Sequence, residues 1–231
     1  VNDKTPEHLI LYSLNRLGVM RQIHYSLKDP SLSIDMGIFL NGLPIMTLEL
    51  KNELTGQSHH NAVKQYMMDR DVKGEKLLEF TRCLVHFAVG TEQVFMTTKL
   101  DGAKTYFMPY NKTFANIGVE SDGYRTDYLW KDVLRRDSVI DLVSHYVNLH
   151  TEKKKVYDKK TGQLKEEEST ALIFPRWHQR RAVKKLLKDI TERGAGHNYL
   201  IQHSAGSGKS HTITWLAYRL SSLHQHYTDE K

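Results

Sequence analysis

Cysteine is nearly absent: Cys83 is the single one in 231 residues, so neither a disulfide framework nor a cysteine-ligated metal cluster can form within this chain. Set in the apolar run Cys-Leu-Val-His-Phe-Ala-Val, it is expected as a buried structural thiol. Also lacking is any apolar run near the roughly 18 residues of a membrane span, and the N-terminus has no signal-peptide h-region. Both absences lead to the expectation of a soluble, cytoplasmic chain with no membrane association. What is present suits a globular protein. The 39% hydrophobic content allows a core for one large or two modest domains, and a net charge of +6 favours an anionic partner without naming one.

The stretch Ile34 to Lys51 organises the rest. It reads as two strands joined at Asn41-Gly42, because Asn-Gly between alternating apolar runs is a strong hairpin signal and both residues tolerate positive φ. One face carries Ile34, Met36, Ile38, Leu40, Met46, Leu48 and Leu50 and must be core. The other carries Asp35, Gly37, Phe39, Ile45, Thr47, Glu49 and Lys51, its charges gathered away from the turn. A three-residue loop would set Asp35 directly opposite Glu49, and a two-residue loop would make that pair diagonal. Facing carboxylates repel unless a cation lies between them or one is protonated.

An Asp followed on the next strand by Glu-x-Lys is what phosphodiester hydrolysis at a divalent metal requires. Asp35 and Glu49 would hold Mg²⁺ through hard oxygen ligands, and Lys51 would orient the attacking water or offset transition-state charge. The arrangement resembles the PD-(D/E)xK nuclease core. The competing reading is a solvated strand edge, since charge on a strand face is ordinary.

Before the hairpin, Thr5-Pro6 opens a helix with Leu9, Ile10, Leu14 and Leu17 as its expected buried stripe. Glu7, in its first turn, is a candidate further metal ligand or a dipole-favoured surface residue. Val19 to Ser26 reads as a strand. Beyond the hairpin, Gln57 to Arg70 has helical spacing, and Gln65, Tyr66 and Arg70 are candidate DNA contacts against a packing role for Tyr66. Leu77 to Phe80 reads as a short helical piece, followed by strands at 82–89, 93–98 and 104–108. Residues 111–127 read as a long loop, and a helix is expected from about Ser138, capped by Asp137 or Ser138. Charge dominates 151–170, which reads as a linker.

A helix is then expected from Pro175, with Ala182, Leu186, Leu187 and Ile190 as its stripe, and Asn198 to Gln202 reads as a short buried strand. It leads into His203-Ser-Ala-Gly-Ser-Gly-Lys-Ser210 and a further helix. Strand, glycine-rich turn and helix in that order suit a phosphate loop. Gly206, Ser207, Gly208, Lys209 and Ser210 would bind ATP, with Lys209 on the β and γ oxygens and Ser210 on Mg²⁺. The strict pattern has glycine where this chain has His203, a departure that helicase-type loops share. Upstream, Gln179 stands where superfamily 2 helicases place an adenine-reading Gln, with Phe174 as the stacking aromatic.

Asn-Arg-Leu-Gly-Val-Met-Arg-Gln-Ile-His-Tyr-Ser (15–26), Asn-Gly-Leu-Pro (41–44), Leu-Glu-Leu-Lys-Asn (48–52), Gly-Tyr-Arg-Thr-Asp-Tyr-Leu-Trp (123–130), Ile-Phe-Pro-Arg-Trp-His-Gln (173–179) and the run at 198–210 together resemble the restriction (R, motor) subunit of Type I restriction-modification enzymes. The resemblance implies an α/β fold: a PD-(D/E)xK nuclease-like mixed sheet flanked by helices at 1–150, the linker 151–170, and the truncated start of a superfamily 2 helicase (P-loop, RecA-like) domain at 171–231. It implies Asp35, Glu49 and Lys51 as nuclease centre, 206–210 as helicase motif I, and Mg²⁺ and ATP as cofactors. It also implies ATP-driven translocation of double-stranded DNA, with modification (methyltransferase) and specificity subunits as partners. Some members carry Gln-x-x-x-Tyr on the helix after Glu-x-Lys, where this chain has Ala62 four residues before Tyr66. No Walker B acid or arginine finger follows Lys209, so this stretch is expected not to hydrolyse ATP usefully. Two alternatives stand beside this reading: an ATP-dependent DNA repair or recombination nuclease, and a non-catalytic docking module attached to a P-loop motor.

Overall fold

Six strands among the described residues, each paired with the next in sequence order, build the larger sheet of the chain. The structure, a computed structural model, describes residues 5–158, 162–221 and 223. They form two compact units, one running Arg16–Phe174 and the other combining residues before 16 with those after 174.

In the Arg16–Phe174 unit, β1 (Leu17–His24), β2 (Ser33–Leu40) and β3 (Leu43–Leu50) form an antiparallel meander, and β3 then pairs in parallel with β4 (Val85–Val89). Short strands β5 (Val94–Thr97) and β6 (Met108–Pro109) continue it antiparallel. The sheet is therefore mixed. A parallel pair needs a crossover, here residues 51–84, which include α2 (His59–Lys64) and a wider π turn over Gln65–Asp69. Ser58 starts α2 by accepting from His60 N, while Asn61 accepts from Ser58 N. Every residue of β4 is buried, as parallel strands covered on both faces are. Met46, Leu48, Phe87 and Met96 are fully inside, each such side chain contributing about 1.5–3 kcal/mol. Cys83 is a free buried thiol, as expected, and burial pushes it up to about 12.

Several local expectations are corrected. Residues 77–80 form turns held by Leu78 N to Glu75 O and Arg82 N to Glu79 O, with no helix. The helix expected from Ser138 is α3 (Arg136–His145), which has no side-chain cap. Residues 111–127 are the loop expected, pinned by Asn116, whose amide donates to Glu92 O and Asn111 Oδ1 and accepts from Lys112 N. The charged stretch 151–170 is no irregular linker. It lies in an antiparallel ribbon of β7 (Asn148–Asp158) and β8 (Gln163–Ile173), in which Lys153 and Lys155 stand opposite Glu168 and Glu166. Opposite charges directly across a pair favour that register.

In the other unit, α1 (Pro6–Leu14) starts at Thr5, whose hydroxyl accepts from His8 N. Its apolar residues do not form the buried stripe expected: Leu9, Ile10 and Leu14 are 52%, 60% and 63% exposed, and Leu17 belongs to β1. Helix α4 (Trp177–Arg193) buries Trp177, Gln179, Val183 and Leu186, and α5 (Lys209–Ser221) follows the glycine-rich turn. Asn198 to Gln202 joins no ladder among the described residues and leaves Leu200 94% exposed. Apolar content alone cannot make a strand without a neighbour to bond to. No helix among the described residues is long and apolar enough to cross a membrane.

Candidate functional site

The hairpin turns on Asn41 and Gly42 at φ 53° and 84°, giving a two-residue loop with Leu40 opposite Leu43. Continued without interruption, that register would set Asp35 opposite Leu48 and turn Glu49 to the other face. A bulge changes the outcome: Phe39 pairs with Pro44, but Ile38 pairs with Met46, leaving Ile45 as the extra residue. The register then runs Gly37 with Thr47 and Met36 with Leu48, and one further step sets Asp35 opposite Glu49. A Cβ on Gly37, beside the acid, would meet the tip of the Ile23 side chain and the edge of the Phe39 ring, so both would have to shift.

The Asp35 carboxylate accepts from Leu50 N at 2.7 Å and from Gln22 Nε2 at 3.4 Å, which holds it across the strand pair. Glu49 is wholly buried. Its Oε1 takes two hydrogen bonds from Arg70, at 3.0 Å from Nε and 2.5 Å from a terminal nitrogen, while its Oε2 is buried with no hydrogen-bond partner. Burial pushes the Glu49 carboxyl up to about 7; Arg70 pulls against it and the adjacent Asp35 carboxyl adds to it. Burial works against the Arg70 charge as well, but Glu49 outweighs it and holds that guanidinium above its ordinary range.

Lys51 follows β3 directly, its backbone N–H on Val89 O at 2.8 Å. Its side chain is half-buried and in no recorded ion pair among the described residues. Behind Glu49 lies a buried chain of polar groups: Thr47 Oγ1 meets the Tyr66 hydroxyl at 2.8 Å and His86 Nδ1 at 2.6 Å. Burial pushes His86 down to about 4, so it is neutral at pH 7.

The sequence-predicted residues thus divide. Asp35 and Glu49 are brought together, with Lys51 two residues on. Tyr66 and Arg70, named above as candidate DNA contacts, are interior groups: Tyr66 is fully buried, and Arg70 is 6% exposed with its guanidinium spent on Glu49, Ser33 O and Tyr25. Gln65 is half-buried on the π turn. Glu7 is exposed in the first turn of α1, in the other unit. Among the described residues no group of three or more His, Cys, Asp or Glu side chains is placed to hold a metal, so the acids form a pair. Sequence reasoning missed the Arg70–Glu49 bond and the Thr47–Tyr66–His86 chain. Nothing in the spacing of residues 21 or 39 apart signals them.

In the other unit Gly206 and Gly208 take φ 70° and 79°, and Lys209 opens α5 with its ammonium on the carbonyls of His203 and Ser204 at 3.2 and 2.8 Å. Ser207 is buried with its hydroxyl unmatched, and Ser210 is exposed. Gln179 accepts from Arg176 N and donates to Gly208 O at 2.9 Å, so its amide braces the loop. Phe174, expected to stack on a base, is buried against Phe87 and Tyr110.

Residues 1–105 match the family described as Type I restriction enzyme R protein N terminus. A curated relative from Methanocaldococcus jannaschii, named "Putative type I restriction enzyme MjaVIIIP endonuclease subunit", is 27% identical over 187 residues. The match covers 79% of this chain and 16% of that relative.

Proposed function

We propose, from the match of residues 1–105 to the Type I restriction enzyme R protein N terminus, that the Arg16–Phe174 unit is a PD-(D/E)xK-type nuclease that cleaves DNA phosphodiesters with a divalent cation. One observation carries this reading: two carboxyls converge across the β2–β3 pair, Glu49 and Asp35 close enough to share a proton, and no N–H or hydroxyl donor reaches the buried Glu49 Oε2. An orphaned buried carboxylate oxygen is costly, and Mg²⁺ is the hard cation that such oxygens suit. The donor set therefore fits the group: Asp35 and Glu49 would hold it. When bound, it would polarise the phosphate and lower the pKa of an attacking water.

The chain's own residues supply the rest. Leu50 N holds the Asp35 carboxylate across the strand pair, and Arg70 occupies Glu49 Oε1 so that Oε2 is left for coordination. Lys51, in no ion pair among the described residues, is available to orient water or to offset charge on the phosphate. In a plasmid-nicking assay with Mg²⁺, Asp35→Ala and Lys51→Ala are each expected to reduce cleavage by about 100-fold or more. Cleavage that persists in both at the wild-type rate would end the assignment.

The glycine turn before α5 supports nucleotide binding in the other unit. There Lys209 would leave the carbonyls of His203 and Ser204 for the phosphates of ATP, and Ser210 would meet the accompanying Mg²⁺. We infer further that in the longer protein this is the start of a superfamily 2 motor driving translocation of double-stranded DNA, alongside modification and specificity subunits.

The Arg70–Glu49 pair favours a second reading, in which the acid is neutralised internally and the unit is a non-catalytic docking module. Mn²⁺ titration separates the two, since a docking module would bind none at Asp35 and Glu49.

A further inference from the structure

Arg70 ends the π turn after α2, where the backbone leaves the helix at φ −108° and ψ 109°, and its side chain turns inward to 6% exposure. It does more there than balance a charge. Two of its nitrogens converge on Glu49 Oε1, and one of these also donates to the Ser33 carbonyl at 2.7 Å. Ser33 lies on β2 two residues before Asp35, and Glu49 lies on β3, so a single guanidinium ties together the two strands that carry the acids. A second wall is the Tyr25 ring, 5.6 Å from the guanidinium carbon, with the Tyr25 hydroxyl at 3.5 Å from the third nitrogen.

We propose that Arg70 is the positioning residue of the metal centre: it clamps Glu49 by Oε1 and β2 by the Ser33 carbonyl, which sets the acid spacing and leaves Oε2 facing the cation. The inference rests on the nuclease reading above. Arginine suits the task and lysine does not, because only a planar fork can bond one carboxylate oxygen twice and a carbonyl besides. An outer partner of a metal-binding carboxylate typically governs about 10- to 100-fold in metal affinity or activity.

The sign of the effect separates positioning from simple competition. Were Arg70 merely a counter-charge occupying the site, removing it would tighten cation binding, since one positive charge would leave the neighbourhood. As a clamp, its loss weakens binding.

The test is a Mn²⁺ titration of the full 231-residue chain, with Mg²⁺-dependent plasmid nicking in parallel, on wild type, Arg70→Gln, Arg70→Lys and Asp35→Asn. Arg70→Gln is expected to lose about 10- to 100-fold in Mn²⁺ affinity and in kcat, with KM for plasmid DNA within about twofold of wild type. Arg70→Lys, which keeps the charge without the fork, is expected to recover melting temperature while staying about tenfold down in Mn²⁺ affinity. It also supplies the reading if Arg70→Gln does not fold. Unchanged or tighter Mn²⁺ binding in Arg70→Lys, with Asp35→Asn abolishing it, overturns the clamp and leaves the nuclease intact. No Mn²⁺ binding by the wild type overturns both.

Discussion

Glu49 and His86 face each other's consequences at the residue scale, because burial shifts their proton affinities in opposite directions. The Glu49 carboxyl is raised from its ordinary 4.5 to about 7, so the folded chain keeps a proton that the unfolded chain releases in that window. Its contribution to stability is full below pH 4.5 and lost as pH rises through about 7. His86 is depressed from 6.5 to about 4, so its contribution is present above pH 6.5 and lost as pH falls toward 4. Glu49→Gln removes the first effect and leaves the second unopposed. In metal-free urea titrations, the midpoint of Glu49→Gln relative to wild type should therefore move in the variant's favour between about pH 4.5 and pH 7. A difference that stays constant across that range would show that Glu49 is ionised throughout. Of these residues the acids were legible, since strand alternation places them on one face from sequence alone. Their charge partner was not. Arg70 has helical neighbours that suggest an outward side chain, and only the π turn and the tertiary approach to Glu49 turn it inward.

Elements defined by their own residues were the most readable. Asn41-Gly42 closes the β2–β3 hairpin because both residues adopt positive φ locally, and Thr5 with Pro6 starts α1 for reasons confined to its first turn. What depends on partners was not readable. The periodicity of Leu9, Ile10 and Leu14 says that they share a face, not that anything covers it. Lysines and glutamates in 151–170 look like a solvated linker until the β7–β8 register sets them opposite one another, each such pair adding about 0.2–1 kcal/mol. The loop 111–127 likewise hid its anchor. Asn116 is fully buried, sits at φ 55° and makes three hydrogen bonds with its side chain. Asn116→Leu is expected to destabilise the chain by roughly 2–4 kcal/mol, from stranded backbone partners and from a left-handed backbone that asparagine tolerates and leucine does not. Chemical denaturation reads this directly, and a loss below about 0.5 kcal/mol would show that the loop is held elsewhere.

Across the whole molecule the paired acids lie in one unit and the glycine turn in the other, and the proposed function gives each its own ligand. Lys209→Ala is accordingly expected to lower binding of a fluorescent ATP analogue by about tenfold or more, with Mn²⁺ affinity at Asp35 and Glu49 unchanged within about twofold. Equal loss of both ligands in that variant would contradict separate sites. Composition changes near Ala171, whereas the units divide between Phe174 and Pro175 and the second also takes in residues before 16, which nothing in the composition signals. The strand expected before the glycine turn was not realised, since a sheet is a property of neighbours.

The bulge at Ile45 gives the hairpin an uneven tolerance of length. A residue added at the Asn41-Gly42 tip only lengthens the free end, whereas one added between Met46 and Glu49 would rotate Glu49 and Lys51 to the opposite side of β3. Drift in chain length can therefore accumulate at the tip of the ribbon, while the three residues from Thr47 to Glu49 must keep their count for the two acids to meet at all.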